Sequence, residues 1–181
     1  IGSLMRNILS IILFSFVYSA YYSIGDTISI EDQQHPIEIC HGVDGDDNGD
    51  TITLSDNRGR ITILGLEIPW WVLLGASSSM EIVADNYQSE PRVSFLQNLD
   101  DIGIPYSCSE WSEFCGTESI DIVDDGSVGV NDHFLKNLFA LDDYWHNIVI
   151  IDHNMVFRHF ISCESNLASS SIVLELQDSI E

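Results

Sequence analysis

Positive charge is almost missing from this chain. Of 181 residues, six are Lys or Arg against 29 Asp or Glu, a formal net charge of -23, and Lys136 is the one lysine. Phosphate backbones and anionic membrane faces are bound by clustered Lys and Arg, so neither nucleic acid nor an anionic lipid surface is an expected partner. Cys-x-x-Cys is missing too, because Cys40, Cys108, Cys115 and Cys163 never stand at that spacing. This argues against a zinc knuckle and against a dithiol redox centre. Proline is scarce: there are four, and none follows Pro105. No repeat, low-complexity tract or linker interrupts the chain. Apolar residues, by contrast, are plentiful at 45%, with a mean hydropathy of +0.10, which excludes a disordered acidic tail. The length fits one domain with a sizeable core.

The N-terminal stretch reads as an export signal. Met5-Arg6-Asn7 is a short cationic segment, and Ile8 to Val17 is an apolar run too short to span a bilayer comfortably. Small residues Ser19 and Ala20 follow, which puts cleavage near Ala20. Residues 1 to 20 are thus expected to be a signal peptide and 21 to 181 a single domain. Ile1 to Leu4 precede the candidate initiator Met5 and read as read-through. After cleavage no stable membrane span is expected, and the domain would be periplasmic or extracellular.

Export favours disulfides over zinc for an even set of cysteines. Cys108 and Cys115 bracket a short segment and are the first expected pair; Cys40 with Cys163 then follows by elimination.

Residues 58 to 87 organise the rest. Ile61 to Leu66 is a short β-branched, apolar run, as a strand buried on both faces reads. A Pro69-Trp70-Trp71 corner follows, and then a helix: Ser78 and Glu81 have capping-box spacing, while Met80, Val83, Ala84 and Tyr87 recur at helical spacing. Before this unit, Ile37 to Ile39 and Thr51 to Leu54 read as two strands around Asp44-Gly45-Asp46-Asp47-Asn48-Gly49-Asp50. That loop has two readings. Asn48-Gly49 suits a primed hairpin turn. Asp44, Asp46, Asn48 and Asp50 also match the first half of a calcium loop, but Ser55 stands where a bidentate Glu is needed, so any calcium site is weak. No other cofactor is expected.

After it come a strand over Arg92 to Leu96, a short helix within Pro105 to Gly116, a strand over Ile120 to Val123 and a helix over Asp132 to Phe139. Two strands, Ile148 to Ile151 and Val156 to Ile161, flank the turn 152–155, and a final helix runs from Ser165 to Ile180. His133, His146, His153 and His159 fall close together in sequence. A Ser77–His146–Asp152 triad lacks any nucleophile-elbow pattern to support it, and His41 beside Cys40 is weak grounds for a metal.

This order of elements resembles the thioredoxin fold, an α/β architecture with a central mixed sheet flanked by helices, here with an N-terminal β-hairpin. It is most similar to exported redoxin-type thiol-disulfide oxidoreductases of bacterial envelopes. Three stretches carry the likeness: Thr53 to Leu66, the Trp70-Trp71 corner, and Asn147 to Arg158. The resemblance implies an active Cys-x-x-Cys at Trp71 and Leu74, or at Val72 and Gly75, and a cis-proline near His146. This chain has neither. Thiol exchange needs a thiolate, which an indole cannot replace. The expected function is therefore non-catalytic: binding a peptide or protein segment of the envelope at the former substrate groove, near Trp70, Trp71, Leu74 and His146. Two alternatives stand beside it. One is a redox enzyme whose Trp71 is a misread UGA codon for selenocysteine; the other is a cation-stabilised envelope structural module.

Overall fold

The computed structural model describes residues 22–43, 50–67, 78–87, 89–99, 102–103, 106–115, 119–126, 133–139 and 146–162. The expected signal peptide, the candidate calcium half-loop before Asp50, the corner 68–77 and the expected final helix lie outside them.

The central strand, β3 (Ile61–Glu67), pairs in parallel with β4 (Val93–Leu99) from Ile61↔Val93 to Glu67↔Leu99. On its other side it pairs antiparallel with β6 (His146–Ile151). Beyond β4 lies β5 (Asp121–Asp124), again parallel, and beyond β6 the edge strand β7 (Phe157–Ser162). The N-terminal hairpin of β1 (Ile37–His41) and β2 (Thr51–Ile52) is joined antiparallel to β5. The result is one seven-stranded mixed sheet in the order β2-β1-β5-β4-β3-β6-β7.

Central burial explains the apolar run in β3. Ile63 and Leu64 are wholly inaccessible and face opposite sides. Leu64 and Leu66 join Leu96, Val123, Val149 and Ile151 on one face. Ile63 joins Phe95, Ile148 and Ile150 on the other, where helix α2 (Ser78–Tyr87) seals it with Met80, Val83 and Ala84. These are the helical positions expected from the sequence. The short helix α1 (Ile30–Gln33) precedes β1. Helix α3 (Cys108–Cys115) covers a third cluster of Cys40, Leu99, Trp111 and Ile122, with Tyr106 edge-on to Trp111 at 5.0 Å. Helix α4 (Phe134–Leu138) lays Leu135 and Leu138 on the first face.

Two expectations need correction. The second strand stops at Ile52 and does not reach Leu54, because Asp56 accepts the Thr53 N–H at 2.8 Å and turns Leu54–Asn57 into a 3-10 helix. A local side-chain acceptor thus takes a donor the ladder would have used. The disulfide also differs: Cys40 is bonded to Cys108, with Cα atoms 5.9 Å apart. Cys108 and Cys115 are the two ends of α3. Seven residues of helix rise about 10.5 Å, beyond the roughly 7 Å limit for a bridge. With Cys40 bonded to Cys108, Cys163 has no bond to Cys40, and it lies outside the described residues.

Candidate functional site at the carboxyl end of the central strands

Strands β3 and β4 end side by side at Glu67 and Leu99, and His146, the first residue of β6, is the ladder partner of Glu67. The chain leaves the sheet at Glu67 and returns as α2 at Ser78. The ten residues between them hold Pro69, Trp70, Trp71 and Leu74, and none is cysteine. In open α/β sheets, ligands bind outside the carboxyl ends of the strands, where the connections change direction. Here that place is beside β3, whose neighbours β4 and β6 lie on opposite sides of it. His146 is therefore brought to the same sheet end as the start of the corner.

Three buried carboxamides, which sequence reasoning passed over, occupy the last rows of the ladder. Asn98 and Asn147 are the partners of Leu66 on its two sides, and Gln97 is the partner of Gly65. They are 2%, 6% and 3% exposed. Among the described residues neither Gln97 Nε2 nor Asn98 Oδ1 has a hydrogen-bond partner. Such groups are costly to bury. The signal was present as polar interruptions, Gln97-Asn98 and Asn147, at the same end of otherwise apolar strands.

Gly65 makes room for one of them. A Cβ there would lie 2.8 Å from Gln97 Oε1 and 3.0 Å from its Cδ. Gly65→Ala must push a long but buried side chain aside, an overpacking cost of about 1–2 kcal/mol. Urea unfolding is the check: the loss should shrink in the Gly65→Ala, Gln97→Ala double variant.

At the end of β5, Asp124 stands opposite Glu38 in the β1 ladder. Burial raises the Asp124 carboxyl, opposed by the Gly126 N–H, with Asp125 and Glu38 adding like-charge repulsion. The folded form therefore holds this proton more tightly than the unfolded chain. Its contribution to stability is complete below the usual carboxylate range and is lost as pH rises through the folded value. Asp124→Asn should be more stable than the parent at pH 7, with the gap closing on acidification. A gap that widens toward pH 4 in denaturation curves would contradict this.

The other candidate groupings are placed as follows. His146 and Asp152 lie at opposite ends of β6, and Ser77 lies outside the described residues, so the structure does not assemble the triad. The histidines are scattered: His133 meets Asp125, His153 sits in the β6–β7 turn and His159 pairs with Ile150. Of the four calcium candidates Asp44, Asp46 and Asn48 lie outside the described residues, while Asp50 is exposed and its carbonyl accepts Ile39 N–H at 2.8 Å. Among the described residues no group of three or more His, Cys, Asp or Glu is placed to hold a metal. None of the described helices is long and apolar enough to cross a membrane.

The arrangement of strands decides the likeness. The chain has a thioredoxin-like fold. It superposes on a secreted Mycobacterium tuberculosis disulfide oxidoreductase with a TM-score of 0.59 at 10% identity, covering 83% of this chain and 99% of that one. An exposed lipoprotein thioredoxin of Streptococcus pneumoniae matches with a TM-score of 0.55 at 17% identity, over 80% and 99% of the two chains. A thiol-disulfide oxidoreductase of Bacteroides fragilis matches with a TM-score of 0.57 at 12% identity, over 81% and 98%. No protein-family model and no curated protein matches the chain. Trp71 and Leu74, the positions that the resemblance assigns to the missing cysteines, fall in the connection between β3 and α2.

Proposed function

We propose that the chain is an exported thioredoxin-like domain without a redox dithiol, which binds an extended peptide or protein segment of the envelope at the carboxyl end of β3. One observation carries the reading: the chain passes from β3 to α2 through ten residues that include two tryptophans and no cysteine. Without a thiolate there is no attack on a substrate disulfide. What remains is a connection from β3 to α2 whose sequence holds two tryptophans, and aromatic side chains are the commonest anchors of binding surfaces. The secreted and lipoprotein character named for two structural neighbours supports export.

Two measurements test this. Added to insulin and dithiothreitol, the protein should leave the rate of insulin precipitation unchanged; acceleration would overturn the non-catalytic reading. Labelled oxidised insulin B chain should bind, and replacing Trp70 and Trp71 by Ala should weaken it by about tenfold or more. Equal binding by that variant would move the groove elsewhere. Reading the codon for residue 71 separates the selenocysteine alternative, since UGG leaves the corner without a chalcogen.

A further inference from the structure

The opposite end of the sheet has its own cavity, and the scarce positive charge is gathered around it. Arg58 and Arg60 directly precede β3, Arg92 directly precedes β4, and Arg158 is the second residue of β7. Backbone bonds tie these segments together: Gly59 N–H donates to the His153 carbonyl at 3.0 Å, and Ile61 N–H to the Arg92 carbonyl at 2.7 Å. Four of the six Lys and Arg residues thus lie at one pole of a molecule of net charge -23.

The cavity measures about 430 Å³, within the range of small-ligand sites. Its lining joins the apolar Ile61, Val93 and Tyr87 to the polar Glu90, Arg92 and His153. Arg92 donates to Glu90 side-on, through Nε at 2.7 Å and Nη2 at 2.9 Å. A guanidinium has two bidentate edges, so the outer Nη1/Nη2 edge of Arg92, whose side chain is 80% exposed, is left for a second carboxylate. His153 Nε2 lies 2.9 Å from Asn154 Nδ2, and the residue lines the cavity beside Arg92. Arg60, between cavity-lining Gly59 and Ile61, has no side-chain partner among the described residues. Arg58 and Arg158 are engaged elsewhere, with Gln33 and Asp152.

We infer that this cavity binds a small amphipathic carboxylate. Its carboxylate lies on the outer edge of Arg92, beside His153, and its apolar body lies on Ile61, Val93 and Tyr87. In so acidic a molecule a carboxylate is repelled almost everywhere else, so the concentration of arginines supplies selectivity as well as attraction. Glu90 sets the strength. Its carboxylate already lies against the Nε/Nη2 edge of Arg92 and offsets much of the charge an incoming carboxylate would meet.

Amide NMR of the ¹⁵N-labelled protein, titrated with 3-phenylpropionate, tests the inference. The amides of Gly59, Ile61 and Val93 should shift together, and 3-phenylpropanamide should bind about tenfold more weakly. Arg92→Gln should weaken the acid by a similar factor. Glu90→Gln, which removes the competing charge and retains an acceptor, should tighten it. A short peptide ending in a free phenylalanine carboxylate, beside its C-terminal amide, shows whether a chain terminus also serves as the source of the carboxylate. Equal binding of acid and amide, or a Glu90→Gln variant that binds no more tightly, would overturn the proposal.

Discussion

Reducing the Cys40–Cys108 disulfide should lower the unfolding free energy by about 4 kcal/mol. The bridge joins residues 68 apart, and a cross-link restricts the unfolded chain in proportion to the logarithm of the loop it closes. Domains of this size are stable by about 5–15 kcal/mol, so the loss is a large share of the total. The bridge also closes the third hydrophobic cluster, where both cysteines pack with Leu99, Trp111 and Ile122. Replacing both by Ala should therefore cost somewhat more than reduction alone. Because the effect acts on the unfolded ensemble, the denaturant slope should rise as the midpoint falls. Connectivity is separable from energy: cleavage after Glu110 and Glu113 parts Cys108 from Cys115, and without reductant the Cys108 fragment should remain joined to the Cys40 fragment. Recovery of a Cys108–Cys115 link, or an unchanged midpoint on reduction, would refute the assignment.

Why was this bridge illegible in the sequence when the sheet was not? The strands announced themselves because burial on one or two faces dictates their patterning, and Ile61 to Leu66 can be little else. Helix α2 was equally plain from Met80, Val83, Ala84 and Tyr87. Disulfide pairing depends on which surfaces the fold brings together. Cys40 meets Cys108 because the hairpin of β1 and β2 joins the sheet beside β5, under α3. No local pattern encodes that juxtaposition. What was readable, and went unread, is the helical spacing of Cys108 and Cys115, which by itself forbids their union once the segment is a helix. The candidate groove divides in the same way. His146 could be placed at the sheet end from strand order, whereas the rows formed by Asn98 and Asn147 with Leu66 and by Gln97 with Gly65 require the register of three strands.

The second large effect is expected at Asp125, just beyond β5. Its side chain is wholly buried, and it joins two elements. One oxygen meets His133 Nδ1 at 3.1 Å, and the other accepts the Leu135 N–H at 2.6 Å. His133 is the residue before α4 and makes no capping bond of its own, so Asp125 caps that helix from a neighbouring segment. A carboxylate is suited to this place, because the first turn of a helix presents unpaired N–H groups. The cap holds Leu135, Leu138 and Phe139 in the main core with Tyr22, Met155 and Phe157. Asp125→Ala leaves a buried N–H and a buried imidazole without this acceptor, and the loss should be about 3–5 kcal/mol. Asp125→Asn keeps an acceptor oxygen and should lose roughly half as much. Hydrogen exchange distinguishes a local role from a general one. Amides of α4 should lose protection first in Asp125→Ala, while those of β3 follow only the global loss. Since α4 is followed within eight residues by His146, the chain entering β6 should loosen with it, and peptide binding at the carboxyl end of β3 should weaken. An Asp125→Ala variant within about 0.5 kcal/mol of the parent would show that α4 holds by its apolar contacts alone.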